Sequence, residues 1–116
     1  MTREGALMRR IMLALSEAGA RVWRNNVGFA TYKNGVVVKY GIGNPGGSDL
    51  IGLYNGRFLA IEVKNPGENP TAGQVRFIEG IKAAGGVAGV ARSVEDAITL
   101  LSSPPATISR VGTDHK

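Results

Sequence analysis

The dipeptide Asn55-Gly56 constrains the fold of this chain more than any other feature. It lies between two apolar-rich runs, Leu50 to Tyr54 and Phe58 to Val63, and Asn-Gly in that setting marks a two-residue type I′ hairpin turn. Such a turn fixes a register. With Asn55 and Gly56 as the central residues, Tyr54 faces Arg57, Leu53 faces Phe58, Ile51 faces Ala60, Leu50 faces Ile61 and Asp49 faces Glu62. Side chains alternate along a strand, so Lys64, two positions beyond Glu62, joins the two carboxylates on one face. Opposed like charges with Cβ atoms about 5 Å apart are destabilising, and the pairing therefore asks for a cation. A hard divalent metal such as Mg²⁺ or Mn²⁺ suits two carboxylates at the open end of a hairpin. The alternatives are a slipped register, or Lys64 as a plain salt-bridge partner.

Composition narrows the classes. A chain of 116 residues with 43% hydrophobic and 20% charged residues is expected to form one globular domain. Cysteine is absent, which excludes a disulfide framework and any cysteine-based zinc site. The one histidine, His115, lies in the polar C-terminal stretch, so histidine-dependent catalysis is not expected. No apolar run reaches the roughly 18 residues of a membrane span, and a soluble, unexported, cytoplasmic protein is the expectation. The net charge of +5 fits a polyanionic partner.

From about Thr2 to Ala18 the apolar residues Leu7, Met8, Ile11, Ala14, Leu15 and Ala18 fall on one side of a helix, which Gly19 stops. Glu4 projects within that apolar stripe, either as a functional carboxylate or as a first-turn acid complementing the helix dipole. A short strand, Ala20 to Asn25, follows. Gly28 to Tyr40 then reads as a second hairpin around Asn34-Gly35, and the same turn logic pairs Lys33 with Val36 and Tyr32 with Val37. It carries Lys33, Lys39, Tyr32 and Tyr40, suited either to a nucleic-acid backbone or to edge protection.

The stretch G-I-G-N-P-G-G-S, Gly41 to Ser48, is too rich in glycine and proline for regular structure. It either admits a phosphate close to the backbone or is a plain flexible connection. A second loop spans Asn65 to Pro70. Next comes a helix from about Ala72 to Ala84 with Phe77, Ile78, Ile81 and Ala84 on one face, where Gln74 is either aimed at the sheet or a capping partner. Val87 to Ala91 reads as a buried strand, and Ser93 with Asp96 as a capping box opening a last helix through Leu101. Residues 103–116 lose periodicity and are expected to form a flexible tail.

An early helical Glu, then G-G-S-D-L, then I-E-V-K, then a helix carrying Gln, together resemble the PD-(D/E)XK nuclease superfamily. More narrowly the order is similar to a stand-alone VRR-NUC domain, over roughly residues 3 to 101. The resemblance implies an α/β fold with a restriction-endonuclease-like core, a small mixed sheet flanked by helices, within a domain of residues 1–102. It further implies a metal-dependent DNA endonuclease in which Asp49, Glu62 and the Val63 carbonyl hold Mg²⁺ or Mn²⁺. Lys64 would position the attacking water, Glu4 would bind metal-ligated water or a second ion, and Gln74 would orient the site. Ser48 stands where the superfamily pattern has proline. Small stand-alone members resemble Holliday-junction resolvases, so branched DNA, a homodimer and a bacterial or phage-infected host cell are the implied setting. Arg3, Arg9, Arg10, Arg24, Lys33 and Lys39 are the candidate phosphate contacts. The competing readings are a nuclease for flap, nicked or duplex DNA, and a non-catalytic DNA-binding module of a repair or phage complex.

Overall fold

The computed structural model describes residues 2–106. Most of the tail expected from residue 103 onward, including His115, lies outside the described residues. Helix α1 (Arg3–Glu17) starts where Thr2, extended at the N-cap, accepts a hydrogen bond from the Gly5 N–H at 2.9 Å, satisfying one of the orphan donors of a first turn. Leu7, Met8, Ile11 and Leu15 form its buried stripe. Ala18, expected on that stripe, is instead the exposed C-cap.

Strand β1 (Arg21–Arg24) leads to a separate two-stranded ribbon, β2 (Gly28–Thr31) and β3 (Val37–Tyr40), and then to the central hairpin β4 (Leu50–Tyr54) and β5 (Arg57–Val63). Helix α2 (Ala72–Ala83), strand β6 (Val87–Ala91) and helix α3 (Val94–Leu101) complete the chain. The main sheet runs β1-β4-β5-β6, antiparallel except for the parallel β5–β6 pair. That parallel pair requires a crossover, which α2 supplies.

The two faces of the sheet pack differently. Leu59, Ile61 and Val63 alternate onto the face covered by α1 and α3, in a cluster with Leu50, Val87, Ile11, Leu15 and Leu101. Ala60 and Ala88 face the other way, beneath Ile78, Phe77 and Ile81 of α2. Phe58, Ala60, Glu62 and Lys64 therefore belong to the α2 face. At the turn end of the hairpin, Arg57 donates to the carbonyls of Gly85 and Gly86 at 2.8 and 3.1 Å and to that of Ser103. One guanidinium thus ties β5, the α2–β6 link and the end of α3 together.

The hairpin register is the one the Asn-Gly turn predicts: Leu50 faces Ile61, Ile51 faces Ala60, Leu53 faces Phe58 and Tyr54 faces Arg57. The ribbon differs from its expectation by one residue. Thr31, not Tyr32, faces Val37, and Phe29 faces Lys39. Its turn is of three residues: the Gly35 N–H donates to Tyr32 O at 2.9 Å, and the Tyr32 N–H donates to Val36 O at 2.8 Å. The capping box expected at α3 is also incomplete. Ser93 Oγ accepts from the Asp96 N–H, but the Asp96 carboxylate accepts from the Arg92 N–H rather than from that of Ser93.

Candidate active site

One residue beyond the paired part of the β4–β5 ladder, Asp49 and Glu62 come together. The Asp49 N–H donates to Glu62 Oε1 at 3.2 Å, and the Val63 N–H donates to Asp49 Oδ2 at 2.9 Å. Each carboxylate thus caps the backbone of the opposite strand, which holds the pair at a fixed spacing. Within a strand the N–H and C=O of one residue point the same way, so the Val63 carbonyl is directed towards the β4 side as well.

Helix α2 reaches the same spot from above the sheet. Gln74 lies at its third position, where the side-chain amide divides its work between two partners. Its Oε1 accepts from the Thr71 N–H at 2.8 Å, while Thr71 Oγ1 accepts from the Gln74 N–H at 3.1 Å, a complete capping box. Its Nε2 donates to Glu62 Oε2 at 2.8 Å. The two sequence alternatives, cap or site residue, describe two ends of one group. Lys64 Nζ stands 3.5 Å from the same Oε2, so the ion pair anticipated as an alternative is also present.

Glu62 is 3% exposed. Burial first, and then the negative charge of Asp49, push its carboxyl from 4.5 up to about 7, against the opposing pull of Lys64 and of the Asp49 N–H. A buried acid left in this state is held short of positive charge. The donors here are hard oxygens: two carboxylates with the Val63 carbonyl beside them. Among the described residues no three His, Cys, Asp or Glu side chains converge as a metal-binding group. Oxygen donors of this kind are the ligands that hard divalent cations take.

The glycine-rich loop from Gly41 to Ser48 is pinned, contrary to the flexible-connection reading. The side-chain amide of Asn25 donates to the carbonyls of Ile42 and Ser48, each at 2.9 Å, and accepts from the Ile42 N–H. The Asn25 N–H donates to Asp49 O at 2.7 Å. Asn44 donates to the carbonyls of Gly28 and Tyr40 at the base of the ribbon. Glycine is needed for close packing here: a Cβ on Gly46 would meet the Gly73 carbonyl, and one on Gly47 the Ile42 carbonyl. The close backbone approach that these two glycines permit is taken up by the protein itself. Neither Asn25, outside the glycine loop, nor Asn44, within it, carries a distinguishing mark in the sequence.

The remaining candidates are dispersed. Glu4 is half-buried on α1, the helix packed on the sheet face opposite Glu62, and no described hydrogen bond or ion pair joins it to either carboxylate. Arg3, Arg9, Arg10, Arg24, Lys33 and Lys39 are all exposed. Arg3, Arg9 and Arg10 belong to α1, Arg24 ends β1, and the two lysines belong to the ribbon.

A mixed sheet with helices on both faces, bearing an acid pair and a lysine at the open end of its central hairpin, defines a class of α/β domain with an oxygen-rich polar centre. Within that class the chain has the fold of a VRR_NUC domain: a solved structure described as "VRR_NUC domain" superposes with a TM-score of 0.61 at 22% identity, covering 87% of this chain and 96% of that one. No family model and no curated protein matches the sequence. No helix among the described residues is long and apolar enough to cross a membrane.

Proposed function

We propose that this protein is a metal-dependent DNA endonuclease that hydrolyses phosphodiester bonds, with four-way junctions as its substrate and a homodimer as its working form. The observation that carries the reading is the arrangement of Asp49, Lys64 and Gln74 around the buried Glu62 carboxyl, on a VRR_NUC fold. Asp49 and Glu62 are the residues that would hold Mg²⁺ or Mn²⁺, with the Val63 carbonyl beside them; the bound ion supplies Lewis acidity to a water and offsets charge on the phosphate. Lys64 places a positive charge next to the pair, where it orients the nucleophile or a phosphate oxygen. Gln74 holds the Glu62 carboxyl in one rotamer, and the Thr71 cap holds Gln74. A two-fold dimer would carry two such centres and nick two strands of a junction symmetrically.

The test is cleavage of end-labelled four-way junction, flap, duplex and single-stranded DNA in Mg²⁺, Mn²⁺ or EDTA, beside Glu62→Ala. Paired, metal-dependent nicks on the junction, reduced at least about a hundredfold in the variant, support the proposal. Preference for flap or duplex DNA keeps the chemistry and removes the junction. Metal-independent binding with no cleavage of any substrate replaces it with a DNA-binding module.

A further inference from the structure

The β2–β3 ribbon stands outside the main sheet and packs into neither buried cluster. Its observed register puts Phe29 opposite Lys39 and Thr31 opposite Val37, and cross-strand partners share a face. That face is open: Phe29 is 67% and Val37 55% exposed, and Thr31 and Lys39 are exposed as well. The reverse face is covered only along β2, with Ala30 and Gly28 half-buried and the Tyr40 ring lying over Gly28, where a Cβ would strike it, while Val38 and Tyr40 on β3 stay exposed. A two-stranded ribbon is marginal on its own in water, and apolar side chains on its open face invite a partner.

Charge decides which partner. From Ala18 to Ser48 the chain holds four basic residues, Arg21, Arg24, Lys33 and Lys39, and no Asp or Glu. A second copy of the same ribbon would meet it with like charge, whereas a phosphate backbone is complementary. Lys33 sits in the three-residue turn and Lys39 directly across from Phe29, so the ribbon offers cations at its tip and along its open face, the second of them paired with an aromatic ring. The ribbon is also braced to the site. Asn44, in the loop that runs directly into Asp49, donates to the carbonyls of both ribbon strands at their base, those of Gly28 and Tyr40, and Asn25 fixes the same loop at Ile42 and Ser48.

We infer that the open face of the ribbon, Phe29, Thr31, Val37 and Lys39 with Lys33 at the turn, is a nucleic-acid-gripping arm that holds a stretch of DNA backbone flanking the one at the acid pair, with Asn44 bracing the arm to the loop that leads into Asp49. The inference rests on the nuclease reading only for the identity of the polymer as DNA. Lysines supply the phosphate contacts, and Phe29 supplies an apolar surface for a sugar or an unstacked base.

The test separates the arm from the chemistry by measuring binding in EDTA, where no metal-dependent cleavage occurs. Anisotropy of labelled duplex and four-way junction is followed across a salt series for wild type, Lys33→Ala/Lys39→Ala, Phe29→Ser and Glu62→Ala, with circular dichroism confirming each fold. The double lysine variant is expected to bind about tenfold more weakly and to flatten the slope of log K against log salt by about 2, at roughly 0.9 per lost phosphate contact. Phe29→Ser is expected to weaken binding about fivefold with the slope unchanged. No measurable binding by wild type, or ribbon variants that bind with wild-type affinity and slope, overturns the arm. Sedimentation that shows a wild-type dimer and a Phe29→Ser monomer also overturns it, assigning the face to a second copy. If the ribbon variants weaken binding but wild type cuts no DNA, the arm stands and the nuclease reading falls; if the ribbon variants weaken binding, wild type cuts, and Glu62→Ala binds normally without cutting, both stand.

Discussion

The molecule contains two hairpins built around the same dipeptide, and they turn in different ways. At Asn55-Gly56 both residues are left-handed, with φ of 51° and 77°, as a type I′ turn requires. At Asn34-Gly35 only the glycine is, with φ of 85°. Asn34 uses its side chain instead, Oδ1 accepting from the Val36 N–H at 3.0 Å, and the loop lengthens to three residues, a type I turn closed by a left-handed glycine. The shared dipeptide leaves both turns available, so something beyond the turn selects between them. In the central hairpin Leu50, Leu59, Ile61 and Val63 are fully buried, and a one-residue slip would send them to the wrong face. The ribbon has exposed residues along both strands and no buried face to defend, so local turn chemistry sets its register.

The largest expected contrast is in the cores. Ile61→Ala in β5 is expected to cost about 3 kcal/mol or more, read by urea unfolding, whereas Val37→Ser in the ribbon stays within about 0.5 kcal/mol. A ribbon change as costly as the β5 change would mean that the ribbon is packed.

The next effect belongs to Glu62. Its carboxyl in the folded chain sits at about 7, above the ordinary 4.5, so the folded state binds this proton more tightly than the unfolded state. Stability in EDTA therefore falls as pH rises from 4.5 through 7, and the penalty is complete above that range. Glu62→Gln, which removes the charge, is expected to be more stable than wild type at pH 8 by roughly 3 kcal/mol, with the advantage gone below about pH 4.5. Added Mn²⁺ is expected to raise the melting temperature of wild type at pH 8, to do so less at pH 5, and not to do so in the variant. A variant whose advantage is independent of pH would show that burial of the carboxyl is not its cause.

The two turns respond to substitution by smaller amounts. Gly56→Ala and Gly35→Ala each force a left-handed alanine into open space and are expected to cost about 1–2 kcal/mol by backbone strain. Asn34→Ala removes only a side-chain hydrogen bond and should cost about 1 kcal/mol or less. If Asn34→Ala instead rearranges the ribbon into the two-residue register, detectable by cross-strand contacts in NMR, then the side-chain bond was the selector.

Legibility followed burial. The facing of Asp49 and Glu62 could be read from sequence because an Asn-Gly turn and an alternating buried strand specified the same register. Gln74 could be placed because helical periodicity put it on the apolar face of α2. The ribbon slipped by one residue because its pattern, G-F-A-T-Y against V-V-V-K-Y, leaves no face polar enough to arbitrate. The braces made by Asn25 and Asn44 were hidden for a different reason: they bind backbone carbonyls seventeen and sixteen residues away, and no local pattern records a partner that distant. Glu4 reads as a stripe residue in sequence, but its helix covers the face of the sheet that the acid pair does not use.

The double duty of Gln74 bears on which substitutions a lineage of such chains can accept. A capping box tolerates glutamate as well as glutamine at this position, and a surface helix start would drift freely between them. Here the far end of the same amide donates to Glu62 Oε2, and glutamate has no hydrogen to give at pH 8; it would set a third negative charge against a carboxyl already short of compensation. Helix initiation alone leaves two letters open at position 74, and the neighbouring acid closes one of them.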